Sequence, residues 1–545
     1  MSGRRPAAVV TGTVRPGWEG VRDAFARGQA EDPGGAQLAV RHGGRTVVDL
    51  WTPGTGRFGY GAVPDGTAGA GGAYVAQSAG GTTRAGSTHG ADGTGGAGGE
   101  AGTGGAGRAA GTGGAAATGG VPGAATEHAR RTEAGAGGDA ETGYRNGHRT
   151  GDGSATGTES GDGSATGTES GSGTATGTES GSGTATGTES GSGTATGGQA
   201  LRADSVGVLM SVSKALVAVC AHLLIERGVL DPDDPVARHW PEFAAAGKAG
   251  TTVADLLAHR AGLPAYTDDP AGLPDALLLD PAARVRALAA MSPVWDPGTA
   301  FLYHALTYGD LVGEVVRRVS GGSVGRFFAR EVAGPLGLDL WIGLPEGAEH
   351  RFVPQRAVRP GPTPGQVARA VERAGLAPGD RLATSLRASS AELARATASF
   401  GTRRGRAAEF PAAGGIGDAR SLARLYAALV GPVDGVRLLS AATVDRARTP
   451  CTDHLPQPGV LHRLDGPDRS RFGLGFELPR PGAPLLGEGS FGHAGAGGRL
   501  GMAHPESGLA VGYVCTAMAW EPSAGPDPRW MPWTEAVRKA AGLGR

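Results

Sequence analysis

Lysine is nearly absent from this chain of 545 residues: Lys214, Lys248 and Lys539 stand beside 48 arginines. An arginine cannot lose its proton near neutral pH, whereas a lysine in apolar surroundings can, and then serves as a base. Lys214 follows Ser211 by three residues, one helical turn along the same face. With 28 serines in the chain, chance would place a serine three residues before a lysine only roughly 0.15 times. The plain alternative is a helix-start serine with a solvent-facing lysine, and the apolar flanks Leu209-Met210 and Ala215-Leu216-Val217 argue against it. A serine hydroxyl is a weak nucleophile that needs such a base, and a helix N-terminus adds a dipole that favours developing negative charge. Protonating a leaving group takes a second proton-transfer residue. Tyr303 fits, in Pro297-Gly298-Thr299-Ala300-Phe301-Leu302-Tyr303-His304 ahead of a helix, with an interfacial aromatic as the alternative. Tyr308 aligns instead with Leu311, Val312, Val315 and Val319 and reads as core.

These residues need a scaffold. From Ser211 to Arg227, Leu216, Val219, Cys220, Leu223 and Leu224 recur at helical spacing and Gly228 supplies a stop, which predicts a buried helix beginning at the serine. Further helices are predicted over Val253–Ala258, Ala282–Ala290, His304–Ser320, Val324–Val332, Ala391–Ser399, Ser421–Val430 and Thr534–Ala541. Two β-rich runs, Gln37–Arg41 and Thr46–Trp51, flank His42-Gly43-Gly44 and predict a hairpin. Gly498–His504 and Gly508–Thr516 predict another around Pro505-Glu506-Ser507. Hairpins near both chain ends with helices between them predict an α+β fold: one antiparallel sheet built from both ends, plus an inserted helical lobe.

Residues 61–200 divide the chain. They hold 45 of the 101 glycines and no Leu, Ile, Met, Phe, Trp or Cys. From Gly151 a ten-residue unit repeats, GDGSATGTES and then GSGTATGTES, with no apolar anchor to stack on a neighbour. The stretch is predicted to be a disordered, low-complexity insert between a first part, 1–60, and the main part, 201–545, of one catalytic domain.

Composition excludes several classes. The net charge is -1 with no long basic run, which argues against nucleic acid. Cys220, Cys451 and Cys515 form no CxxC pair and suit a reducing compartment. The apolar patch near Arg4 and Arg5 is too short for a secretory leader, and Val206–Ile225 carries Ser211, Ser213, Lys214 and His222, so no membrane partner is expected and the chain reads as cytoplasmic. None of the 13 histidines lies in an HExxH pattern, and Asp231-Pro232-Asp233-Asp234-Pro235 reads as a proline-rich turn rather than a calcium loop, so no metal is expected. Gly495–Gly498 lacks the Gly-Lys-Ser/Thr of a phosphate loop, and no cofactor is expected. His259 reads as a core histidine at a helix end.

Ser211-Val212-Ser213-Lys214, Tyr303-His304-Ala305 and His493-Ala494-Gly495 occur in the order of the three active-site motifs of serine β-lactamases and penicillin-binding proteins. The chain most resembles the class C β-lactamase-related serine hydrolases, the branch that includes family VIII carboxylesterases. Residues 252–263 resemble that family's LLxHxxGL segment, and Gly415-Ile416-Gly417 supports the likeness, which spans roughly 1–60 and 201–545. The resemblance implies that Ser211 is acylated, that Lys214 is its base and that Tyr303 shuttles the proton. It also implies that the strand after His493-Ala494-Gly495 edges the site, where His493 and Gly495 contact substrate, and that the Ser211 and Ala496 N–H groups form an oxyanion hole. The usual Tyr-x-Asn has Ala305 here, and the usual Lys-Thr-Gly has His493 and Ala494, although His493 also fits a buried strand histidine. Losing the polar groups that engage a β-lactam favours a neutral ester. The expected activity is therefore hydrolysis of a small-molecule ester or amide, carboxylesterase foremost. A β-lactamase or D-peptidase, and a catalytically silent binding protein, are the alternatives.

Overall fold

A computed structural model describes residues 8–30, 32, 34–54, 200–358, 361–519 and 527–544. The insert read over 61–200 lies outside the described residues except for its last residue. In chain order the strands are β1 (Thr11–Val14), β2 (Ala36–His42), β3 (Arg45–Thr52), β4 (Gly207–Val208), β5 (Leu340–Ile342), β6 (Arg356–Ala357), β7 (Gly415–Gly417), β8 (Phe491–Gly495), β9 (Arg499–His504), β10 (Leu509–Cys515) and β11 (Ala517–Met518). The helices that shape the site and its sheet are α1 (Glu19–Gln29), α2 (Ser213–Glu226), α3 (Thr307–Ser320), α4 (Arg381–Ser399), α5 (Ala419–Val430) and α6 (Met531–Ala540).

Six strands form one antiparallel sheet in the order β1-β3-β2-β10-β9-β8, so the two predicted hairpins lie side by side and both chain ends build it. Strand alternation gives the sheet two unlike faces. Leu38, Val40, Val48, Leu500, Met502, Val511 and Tyr513 fill one, against Phe25 of α1 and Trp533 of α6. The other carries Ala39, Gly501, Ala503, Ala510 and Gly512, residues small enough for α5 to lie directly on the strands. A Cβ at Gly512 would come 2.2 Å from the Ala419 carbonyl oxygen, and one at Gly501 would come 2.4 Å from the Tyr426 ring. Beyond α5 lies the main core, in which α2 is buried along nearly its whole length and packs on α3. A small sheet, β4-β7-β5, ties the segment before α2 to that core. No helix among the described residues is long and apolar enough to cross a membrane.

The structure differs from the sequence expectation in particular places. The helix expected from Ala391 begins at Arg381, because Ser385 and Ser389 occupy its buried face and hide the apolar period. The helix expected over Val324–Val332 keeps α-geometry only to Phe328 and then widens into a π-turn, Ala329–Ala333. The last helix starts three residues before Thr534, with Pro532 in its first turn, where a missing N–H costs nothing. β1 and α1 have no counterpart in the sequence expectation.

The α5–β10 contact is backbone on backbone and cannot yield to a side chain. Gly512→Val should lower the unfolding free energy by about 3 kcal/mol or more, measured by urea unfolding. A loss below about 1 kcal/mol would mean that α5 does not press on the sheet here.

Candidate active site

The chain reverses sharply just before Ser211. Met210 adopts φ 50°, a left-handed conformation uncommon for a non-glycine residue. Ser211 then lies in a 3-10 turn, Met210–Val212, and α-geometry starts only at Ser213, two residues later than the sequence predicts. The strained turn is pinned from below. Ser213 Oγ donates to the Met210 carbonyl at 2.5 Å and accepts the Gly415 N–H at 2.8 Å, while the Leu209 N–H donates to Gly415 O at 2.8 Å. Ser213 is therefore an anchor, and Ser211, only partly buried, is left to face the site.

Lys214, one turn on, is fully buried. Its Nζ lies 3.4 Å from Ser211 Oγ, 2.7 Å from the Ala305 carbonyl oxygen, 3.0 Å from the Ala412 carbonyl oxygen and 4.8 Å from the centre of the Tyr303 ring. Among the described residues no carboxylate pairs with it, and burial alone drives its pKa well below the usual lysine value. The backbone carbonyl of Ala305 thus makes the polar contact to Lys214 in a motif whose usual asparagine is absent.

Tyr303 is placed by two histidines. The helix Val253–Leu257 starts with a capping box between Thr252 and Asp255 and ends near His259, which has φ 59°. His259 Nδ1 accepts the His304 N–H at 3.1 Å, and its carbonyl accepts the Leu302 N–H at 3.3 Å. His304 Nε2 accepts the Leu263 N–H at 3.0 Å, so its Nδ1 carries the proton and donates to Leu302 O at 2.6 Å. With its backbone and ring committed in this way, His304 lies outside the helix predicted to start there, and α3 begins at Thr307. The Tyr303 ring packs 4.7 Å from His259, 5.8 Å from Phe472 and 6.1 Å from His493.

The resemblance implies that the strand after His493-Ala494-Gly495 borders the site; the motif itself forms a strand, β8, at the edge of the six-stranded sheet. β9 comes after the motif and is interior. The outward N–H groups of β8 recur every second residue. That of Gly492 pairs with Glu477 O at 3.0 Å and that of Ala494 with Glu477 Oε2 at 3.0 Å. The next in the series, Ala496, has no acceptor among the described residues, and neither has the Ser211 N–H. His493 faces inward, buried, and its Nε2 has no partner among the described residues. Gly495 allows the Ser211 turn to approach: a Cβ there would lie 2.5 Å from Leu209 O.

The structure thus brings Ser211, Lys214, Tyr303, His493, Gly495 and Ala496 to one place. Sequence reasoning missed the positioning contacts of His259 and His304, the Phe472 ring and Glu477. Only the nearness of His304 to Tyr303 could have hinted at them. Among the described residues no group of His, Cys, Asp or Glu is arranged to hold a metal ion.

Comparison with known proteins agrees with this geometry. The family model for Beta-lactamase matches residues 124–531, a span that starts inside the glycine-rich segment and contains every motif residue. "Esterase/beta-lactamase LipL" of Mycobacterium tuberculosis is 33% identical over 325 residues, 57% of this chain and 69% of that protein. "Esterase EstB" of Burkholderia gladioli is 29% identical over 212 residues, 31% of this chain and 54% of that protein. The crystal structure of a family VIII carboxylesterase aligns with a TM-score of 0.58 and 25% identity, covering 98% of this chain and 100% of the other. With the three motifs assembled around one buried lysine, and with the family model matching most of its length, the chain belongs to the beta-lactamase family of serine hydrolases.

Proposed function

We propose that the protein is a carboxylesterase acting on esters of small or medium acids through an acyl-Ser211 intermediate. One observation carries this reading: the partners of Lys214 match a neutral amine. An unprotonated Nζ has two N–H donors and one lone pair, and it faces two carbonyl oxygens, Ala305 and Ala412, and one hydroxyl, Ser211. In that state the Ser211 O–H donates to the lysine lone pair. As Ser211 Oγ attacks the ester carbonyl carbon, its proton passes to Lys214, and the carbonyl π pair becomes the oxyanion. The Ser211 and Ala496 N–H groups receive that charge, each contributing a few kcal/mol that is absent in the ground state. Collapse expels the alcohol oxygen, which takes a proton through Tyr303. Water then attacks the acyl-enzyme by the reverse route and releases the acid.

The surrounding imidazoles do not compete for the base role. Burial pushes His493 down to about 3 and His304 down to about 4. His259 is held well below the usual histidine value by burial first and by its basic neighbours second. All three are neutral at pH 7. The imidazoles around Tyr303 and Ser211 are therefore uncharged, which suits a neutral ester. The Ala305 and His493 replacements remove the groups that engage a β-lactam's amide and carboxylate, and the names of LipL and EstB include esterase activity for those relatives.

p-Nitrophenyl esters of short acids should be cleaved with a kcat/KM well above that for nitrocefin. A higher value for nitrocefin than for every ester would replace this reading with a β-lactamase one.

The neutral buried imidazoles also set an acid limit on stability. His222, outside the site, is pushed down to about 4 by burial. An unfolded histidine titrates near 6.5, so below that pH the unfolded chain binds protons that the fold refuses. The stabilisation is complete above pH 6.5 and is lost as pH falls toward 4, by about 1.4 kcal/mol per pH unit for each fully refused proton. His222→Asn should therefore lose about 1 to 2 kcal/mol less than wild type between pH 7 and pH 5 in urea unfolding. An equal loss would mean that His222 is protonated in the fold.

A further inference from the structure

Arg499 is 1% exposed and, among the described residues, forms no ion pair, a state that is disfavoured unless the guanidinium is used. It lies directly opposite Gly495 in the β8–β9 register, so its side chain leaves the sheet on the same face as His493. From there its donors reach backbone oxygens on both segments that carry the site. Nε donates to Val208 O at 3.1 Å, three residues before Ser211. Nη1 donates to Ala496 O at 3.0 Å and touches Met518 Sδ at 2.6 Å, and Nη2 reaches Gln355 Oε1 at 3.4 Å.

We propose that Arg499 is a positioning residue for the oxyanion hole: it joins the Ser211 segment to the Ala496 turn and fixes the direction of the Ala496 N–H. The inference rests on the acyl-Ser211 reading above. The turn after β8 is held at successive carbonyls. The Gly498 N–H donates to Gly495 O at 2.9 Å, which orients the peptide whose other end is the Ala496 N–H. Arg499 holds the next carbonyl, and Arg529 Nη2 holds Gly497 O at 2.6 Å. Gly497 and Gly498 have φ 84° and 107°, and a Cβ on Gly497 would lie 2.1 Å from Arg499 Nη1, so the turn is moulded onto the guanidinium. The two cations differ. Arg529 is paired with Asp32 and Asp527, both at 2.6 Å, whereas Arg499 touches no carboxylate among the described residues, and its Nη1 lies 3.0 Å from the carbonyl oxygen of Ala496, whose N–H would meet the oxyanion. A cation there favours the tetrahedral oxyanion over the neutral ester.

The test uses the full chain and kcat per Ser211 site titrated with a fluorophosphonate. Arg499→Met keeps length and removes charge and fork; Arg499→Lys keeps charge and loses the two-carbonyl bridge. For a p-nitrophenyl ester, Arg499→Met should lower kcat roughly tenfold to a hundredfold with KM changed less than about threefold, and Arg499→Lys should recover part of it. The affinity for a trifluoromethyl ketone, whose adduct carries the oxyanion, should fall by the same factor as kcat/KM. Unchanged kcat per titrated site in a folded Arg499→Met protein, or a lowered kcat with unchanged ketone affinity, would overturn the inference. Should that variant not fold, Gln355→Leu frees one side of the fork; unchanged kcat and ketone affinity there would overturn it equally, and a fall in both would support it. Absence of ester turnover in the wild type would instead overturn the carboxylesterase reading itself.

Discussion

A lysine amine buried with no carboxylate beside it among the described residues is the constraint on which the rest of this site depends. An ammonium taken out of water with no counter-ion is costly, and the fold meets that cost by leaving Lys214 room to be neutral. Its contacts also join the fold. Ser211 belongs to the turn before α2, Ala305 to the segment between Tyr303 and α3, and Ala412 to the stretch before β7. Three segments far apart in sequence converge on one nitrogen, so the placement of Ser211 and the packing of these segments on one another are a single requirement. The small-residue face of β9 and β10 serves the same end by letting α5 lie close against the sheet.

The sheet edge completes the arrangement. An edge strand has unpaired N–H groups at every second residue, and proteins normally cover them. On β8 the Glu477 backbone and carboxylate cover the N–H groups of Gly492 and Ala494, and the Ala496 N–H, in the turn just after the strand, has no acceptor among the described residues. The carboxyl of Glu477 is pushed up by burial, against the opposing effects of Arg480 and the Ala494 N–H. In the proposed acyl-enzyme route, a feature that elsewhere invites aggregation supplies the donor for the developing charge.

Much of this was legible from residue order. The Ser211–Lys214 spacing is local, and a lysine among 48 arginines stands out before any fold is known. The first hairpin was visible because Gly43 and Gly44 separate two β-rich runs, the second because Pro505-Glu506-Ser507 interrupts two strand-like runs, and α2 because its apolar period is strong. What escaped depends on contacts across long sequence separations. His259 and His304 are 45 residues apart, and their roles rest on which ring nitrogen accepts which N–H. Arg499 is one arginine among 48, and nothing in its neighbours distinguishes it from a surface residue. The first half of α4 was hidden because its buried face carries serines. The strand β8 was not read from the sequence because His493-Ala494-Gly495 has little β-propensity, and it is the pairing with β9 that makes it a strand.

The central claim is that neutral Lys214 takes the proton of Ser211. Its most direct test is the rate of fluorophosphonate labelling against pH, followed by intact mass, for the wild type and Lys214→Arg. The account predicts one adduct, on Ser211, whose rate rises with pH and levels off well before the ordinary lysine value of 10.5. In Lys214→Arg, whose guanidinium cannot accept the proton, the rate should fall by about a hundredfold or more. Labelling of Lys214→Arg at more than a third of the wild-type rate, or an adduct on another residue, would contradict it.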